Sequence, residues 1–214
     1  MKSDIRLSDA VYETLLEAIL RGRLATGEVV SEVALAQKLQ VSRTPVHDAL
    51  RQLAKDGLVR QEANRRAVIA SFTAEDIYDI FEMRKILEGE AARRAATRIG
   101  PQVLAELRRM MGDLKADPEA PNWITRWADF DDAFHSAIAA AAGSPRLAQD
   151  ISRYRMLHRG INKLSTTVEA LQQAMAEHEA ILEALDARNA KASHAAMINH
   201  LQGWQAYFVR HFRK

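Results

Sequence analysis

Asp131 and His135 stand four apart in WADFDDAFHSAI (residues 127–138), the spacing that stacks two side chains on one helical face. Downstream, His178 falls inside an apolar stripe of Leu171, Met175, Leu182 and Leu185. His200 falls beside Leu201 in a second stripe with Met197, Trp204 and Phe208. The turn between these two stripes centres near Asn189, with His178 eleven residues before it and His200 eleven after. In an antiparallel helical hairpin each imidazole then lies about 16 Å from the turn, so the two are level and can face one another. Three imidazoles and one carboxylate turned inward suit a divalent transition metal. Nitrogen and oxygen donors fit zinc, taken first, and also nickel, manganese or iron. The competing reading for each histidine is a satisfied core residue. Spacing does not exclude His158, His194 or His211, although His194 and His200, six apart, are about 240° apart round a helix and cannot share one interior.

A second chemistry sits in VSRTPVHDALRQLAKDGLV (41–59). Ser42 is placed to N-cap a helix whose apolar stripe is Val46, Ala49, Leu50 and Leu53, and Asp56-Gly57 ends it. A helix that only packs needs no arginine and threonine in its first turn. In a helix-turn-helix, that turn enters the DNA major groove. Arg43 can then bond guanine O6 and N7 in parallel, Thr44 can meet phosphate or base, and Arg51 can meet the backbone. Pro45 lacks an N–H, which costs little so near a helix start.

Pattern and punctuation define the elements around these residues. Ser8 is expected to cap a first helix ending near Arg21-Gly22, with Leu24 to Val30 a turn or short strand. Ser31 opens a short helix with Val33, Leu35, Ala36 and Leu39. Leu58–Gln61 and Ala67–Ala70 read as two strands around a basic tip, where Arg65 and Arg66 can enter a minor groove or track phosphates. This is winged helix-turn-helix order. After a linker at 71–74, with Thr73 a helix cap, helices are expected at about 74–98, 101–115, 122–142, 145–163, 167–188 and 190–212. The fold class is therefore mainly α: a winged helix-turn-helix over 1–72, then an all-helical bundle of about six helices over 73–214.

Composition sets limits. Forty-eight per cent of the 214 residues are apolar, enough for a core without staples. Net charge is only +2. Residues 1–72 hold 11 Lys and Arg against 9 Asp and Glu, so DNA affinity must come from placement rather than bulk charge. Cysteine is absent, which excludes disulfides and thiolate chemistry. Acidic residues among the first thirty argue against a signal peptide, and no apolar run is long enough for a membrane span. A cytoplasmic protein with no membrane partner is expected.

VSEVALAQKLQVSRTPVHDALRQLAKDGLV (30–59) resembles the GntR family of bacterial transcription regulators, and the helical segment after residue 73 resembles the FCD ligand-binding domain of its FadR subfamily. The resemblance implies DNA contact by Arg43, Thr44 and Pro45 and by the wing from Asn64 to Arg66. It implies metal ligation by Asp131, His135, His178 and His200, with a small carboxylate effector filling the remaining positions. Val33 and His47 stand where the family usually or often has arginine, and Arg66 where it has glycine. His47 can still hydrogen-bond but carries less charge at neutral pH; these changes leave DNA binding in place and bear on which operator is read. Arg84 shares a face with Ile77, Ile80, Phe81, Leu87 and Ala91. It either snorkels to the edge or pairs with Glu88, or it clamps the effector, and the resemblance favours the clamp.

The function these readings give is a transcription regulator, a repressor, that binds a palindromic operator as a homodimer and senses a small acid through a metal. The alternatives are a metal-dependent hydrolase carrying an accessory DNA-binding domain, and a regulator whose metal is purely structural.

Overall fold

The computed structural model describes residues 2–61, 66–71, 73–165 and 167–212. The chain divides into two compact units, Met1–Thr73 with Met156–Ser165, and Ala74–Arg155 with Thr166–Lys214.

In the first unit, α1 (Lys2–Leu20), β1 (Val29–Val30), α2 (Glu32–Leu39), α3 (Arg43–Lys55), β2 (Val59–Gln61) and β3 (Ala67–Ile69) occur in that order. Val11, Leu15 and Leu16 of α1 meet Val46, Leu50 and Leu53 of α3 in a buried core, as their helical spacing requires. The Tyr12 hydroxyl donates to Asp56 Oδ2 at 2.8 Å, tying α1 to the end of α3. The strands form an antiparallel sheet in the order β1-β3-β2, with Val29 opposite Val68 and Val59 opposite Ile69. Gly57, at φ 78°, supplies the left-handed residue that stops α3 and turns the chain into β2.

One local expectation needs correction. Ser8 lies inside α1 rather than capping it, because nothing in the residues before it, neither proline nor glycine, halts the helix. The short α2 forms as expected, burying Leu35 and Ala36 and leaving Val33 exposed.

The second unit contains α4 (Ala74–Ala95), α5 (Pro101–Ala116), α6 (Trp123–Ala141), the first part of α7 (Pro145–Ser165), α8 (Val168–Asp186) and α9 (Ala190–Phe212). Helix ends are fastened by side chains that take up orphan carbonyls. Trp123 Nε1 donates to Leu114 O at 3.0 Å, Arg98 to Ala142 O at 2.6 Å and Arg188 to Ile99 O at 2.7 Å. Helix α4 lies along α9. On α4, Glu88 is fully buried and Leu87 only half-buried, so the interior face carries Arg84 with its i+4 carboxylate rather than a continuous apolar stripe.

Gly89 marks the closest approach of α4 and α9: a Cβ there would lie 2.8 Å from Ile198 Cδ1. Gly112 on α5 has nothing within 4 Å. Gly89→Leu is expected to destabilise the protein by about 1–3 kcal/mol through overpacking. Gly112→Leu should be neutral or stabilising by up to about 1 kcal/mol, since it removes a flexible residue from a helix. Urea unfolding of the two variants checks the contrast.

Candidate metal centre and DNA-reading helix

Helix α6 turns Trp127, Phe130, Asp131, Phe134, His135 and Ile138 to the interior in steps of three and four. Asp131 and His135 therefore enter the core together. Helix α8 delivers His178 and α9 delivers His200, both buried. The His178 and His200 ring centres are 4.6 Å apart, and each lies 5.5 Å from that of His135. One nitrogen from each of the three rings falls within 4.8 Å of the others. Asp131 Oδ1 lies 3.5 Å from His135 Nε2 and 3.4 Å from His178 Nε2. The three histidines of the set implied by the resemblance thus cluster in the core, with Asp131 beside two of them.

The surrounding groups set ring orientation. His135 Nδ1 bonds Glu88 Oε2, while Arg84 Nε donates to the other Glu88 oxygen at 2.7 Å. His200 Nδ1 bonds Glu177 Oε2 at 2.7 Å. A carboxylate on Nδ1 keeps the proton there and leaves Nε2 with its lone pair, the form a metal needs. His135 Nε2 and both nitrogens of His178 are buried and have no hydrogen-bond partner among the described residues. Buried polar atoms are nearly always satisfied. An orphan nitrogen on each of His135 and His178, beside the His200 ring, fits a cation site, each ring offering one nitrogen, and the donor set fits a transition metal. Of the other histidines, His194 packs against Gly89, His158 is buried on α7 and is not one of the three clustered rings, and the side chain of His211 lies outside the described residues.

Charge balance is local. Burial works against the Asp131 carboxylate, but Arg155, whose NH2 bonds Asp131 Oδ2 at 2.8 Å, and then His135 hold its pKa well below the usual range. Burial opposes Glu88 in the same way, and Arg84 followed by His135 keep it ionised. Burial lowers the pKa of His178, with His200 adding to the effect, so this ring stays neutral. His200 is also lowered by burial, against the pull of Glu177. Arg84 NH1 and Arg155 NH1 are buried donors without partners among the described residues. Sequence reading missed the Glu88–His135, Glu177–His200 and Arg155–Asp131 contacts. Only Arg84–Glu88 had a signal, the i+4 step.

In the first unit, Ser42 holds the N-cap position in extended backbone, but its side chain makes no capping bond. Pro45 is buried, so its ring packs inward, whereas Arg43, Thr44, His47 and Arg51 are exposed along the start and outer side of α3. Arg43 is 69% exposed and lies 3.6 Å from Glu32 of α2; the same carboxylate bonds His47 Nδ1 at 2.7 Å. Arg66 is exposed. Asn64 and Arg65 fall outside the described residues.

An exposed basic helix start beside a small sheet, followed by an all-helical domain, is the arrangement of a DNA-binding transcription regulator. The chain belongs to the GntR family of bacterial regulatory proteins, matched over residues 7–69, and carries an FCD domain over residues 79–203. It is 35% identical over 136 residues to an uncharacterized HTH-type transcriptional regulator in the TAR-I ttuE-ttuC' intergenic region of Agrobacterium vitis, covering 62% of this chain and 79% of that protein. It is 27% identical to the HTH-type transcriptional repressor GlaR of Escherichia coli (strain K12), over 89% of this chain and 90% of GlaR. Its fold matches the solved structure of E. coli McbR/YncC with a TM-score of 0.74 at 20% identity, over 96% and 98% of the two chains. Among the described residues, no helix is long and apolar enough to cross a membrane.

The lowered His178 and His200 pKa values give a sign for stability. Folding favours the neutral rings, so the unfolded chain binds more protons once pH falls below about 6.5, the ordinary imidazole value. Metal-stripped protein should therefore keep its stability above that pH and lose it progressively below, with a smaller loss in His178→Gln. Melting temperatures between pH 8 and pH 5 in the presence of a chelator check this.

Proposed function

We propose that this regulator is a metal-dependent sensor of a small carboxylate that represses transcription from a palindromic operator as a homodimer. The observation that carries the reading is the set of buried, unpartnered imidazole nitrogens converging beside Asp131. Asp131, His135, His178 and His200 would hold the ion, zinc first, with nickel, manganese or iron as the other fits. When bound, the metal supplies a Lewis-acidic centre with coordination positions left for an oxygen ligand. Glu88 and Glu177 orient two of the rings. Arg155 neutralises part of the Asp131 charge. Arg84 and Arg155 each keep a buried N–H donor that an effector carboxylate can take. The GlaR likeness supports repression, and the N-terminal match supports operator reading by Arg43 and Thr44, with Arg51 and Arg66 on the backbone.

An effector acts only through a difference in affinity between DNA-competent and DNA-incompetent states. Coupling of about 1–3 kcal/mol, or 5–150-fold in DNA affinity, is ordinary for such linkage.

Two measurements test this reading. Nickel titration of chelator-treated protein should show one tight site. His178→Ala should abolish it, and Glu177→Gln should weaken it by about 10–100-fold, the usual effect of losing a carboxylate behind a metal-bound histidine. Nickel affinity that is unchanged in His178→Ala would remove the metal assignment. Separately, Arg43→Ala should weaken binding to an operator selected from a random pool by about 1–3 kcal/mol, with much less effect on random DNA at the same salt. Fluorescence anisotropy reads both affinities.

A further inference from the structure

The groove between α8 and α9 lies outside the metal ligands and has its own chemistry. It encloses about 250 Å³. Its α8 side uses residues from Ala170 to Glu177 and its α9 side residues from Gly203 to Arg210, seven residues apart on each helix. Glu177 Oε1 lies 3.7 Å from where a Gly203 Cβ would sit, and Ala170 and Arg210 follow seven residues further from the turn on each helix. The groove is therefore two helical turns, about 10 Å, long. A carboxylate stands at one end and a guanidinium at the other.

Both charged ends are anchored and still have bonding capacity. Glu177 Oε2 is taken by His200, while Oε1 lies on the Gly203 side, 3.7 Å from where a Cβ would sit, and accepts no hydrogen bond among the described residues. Glu177 is 30% exposed. Arg210 Nε donates to Ala206 O at 3.0 Å, leaving its two terminal nitrogens without partners among the described residues. Between the ends, Ala170, Ala174 and Gly203 leave room that larger side chains would fill. The half-buried Tyr207 and the edge of the largely buried Trp204 form its aromatic side, with ring centres 5.3 Å apart and Trp204 stacked on Phe208. A pre-set aromatic wall with polar groups at its two ends is how small-molecule sites fix orientation.

We propose that this groove binds a linear amphoteric molecule, with a primary ammonium and a carboxylate at opposite ends of an apolar chain of about five carbons, a length that fits within the two helical turns between the charged ends. The ammonium sits on Glu177 Oε1, the carboxylate takes the Arg210 guanidinium, and the methylenes lie across Trp204 and Tyr207. This goes beyond the metal-sensor reading and does not depend on it.

The test is calorimetric titration of the full chain at low salt with 6-aminohexanoate, against hexanoate and hexylamine as single-ended controls. 6-Aminohexanoate is expected to bind about tenfold or more tightly than either control, because only it satisfies both charged ends. Gly203→Leu, which fills the groove beside Glu177, should abolish binding. Arg210→Ala, an exposed change that leaves the core alone, should bring 6-aminohexanoate down to the hexylamine level. Equal affinities for the three compounds, no binding of 6-aminohexanoate, or wild-type binding by Arg210→Ala would each overturn the proposal.

Discussion

Charges buried in an apolar helical interior must be paired, and this requirement organises the second unit. Arg84, Glu88, Asp131 and Arg155 lie in the core, each at most 6% exposed. Removing one partner from such a set costs about 3–5 kcal/mol, because the other is left buried and uncompensated. The pairs therefore fix which side chain faces which: Glu88 is held by Arg84 and turned to His135, and Asp131 is held by Arg155 beside His135 and His178. A core built only for stability would be simpler with apolar residues here. What the arrangement supplies is three imidazoles locked close together, two of them backed by carboxylates.

The first unit meets a different constraint. Its buried stripes make a small scaffold, and the start of α3 projects from it. Arg43 and His47 are exposed there, and Glu32 gathers both. A surface ion pair of this kind is worth little in stability. Its effect is on direction: a long flexible guanidinium and an imidazole are held by one shared carboxylate at the start of α3. His47 and Val33 stand where arginine is usual or common in the family, which leaves Arg43 as the exposed guanidinium at the start of α3. With only two more basic than acidic residues in residues 1–72, DNA affinity depends on where charge is placed rather than on its total.

Much of this was legible in the sequence, for physical reasons. Helical periodicity placed the long helices, and Gly57 and the proline breaks marked their ends. Equal distances from one turn were enough to bring His178 and His200 level, and the four-residue step was enough to stack Asp131 on His135. What escaped were contacts between elements with no fixed offset. Nothing in the sequence ties Glu88 to His135 or Arg155 to Asp131, 47 and 24 residues apart. Glu177, next to His178 in the chain, serves the histidine of the neighbouring helix instead, because adjacent helical residues point about 100° apart. Ser8 looked like a cap only by residue type; the helix runs through it because capping also needs something to stop the turn before.

Whether the imidazole cluster holds an ion decides between the proposed metal-dependent sensor and a core of unmetallated histidines. The most direct measurement is a crystal of the full chain purified without added metal, with anomalous scattering recorded across the manganese, iron, nickel and zinc edges. The expected result is one strong peak bounded by Asp131, His135, His178 and His200, at the edge of a single first-row metal. No peak at that position, with the three rings hydrogen-bonded to ordered water instead, would contradict a metal-dependent sensor.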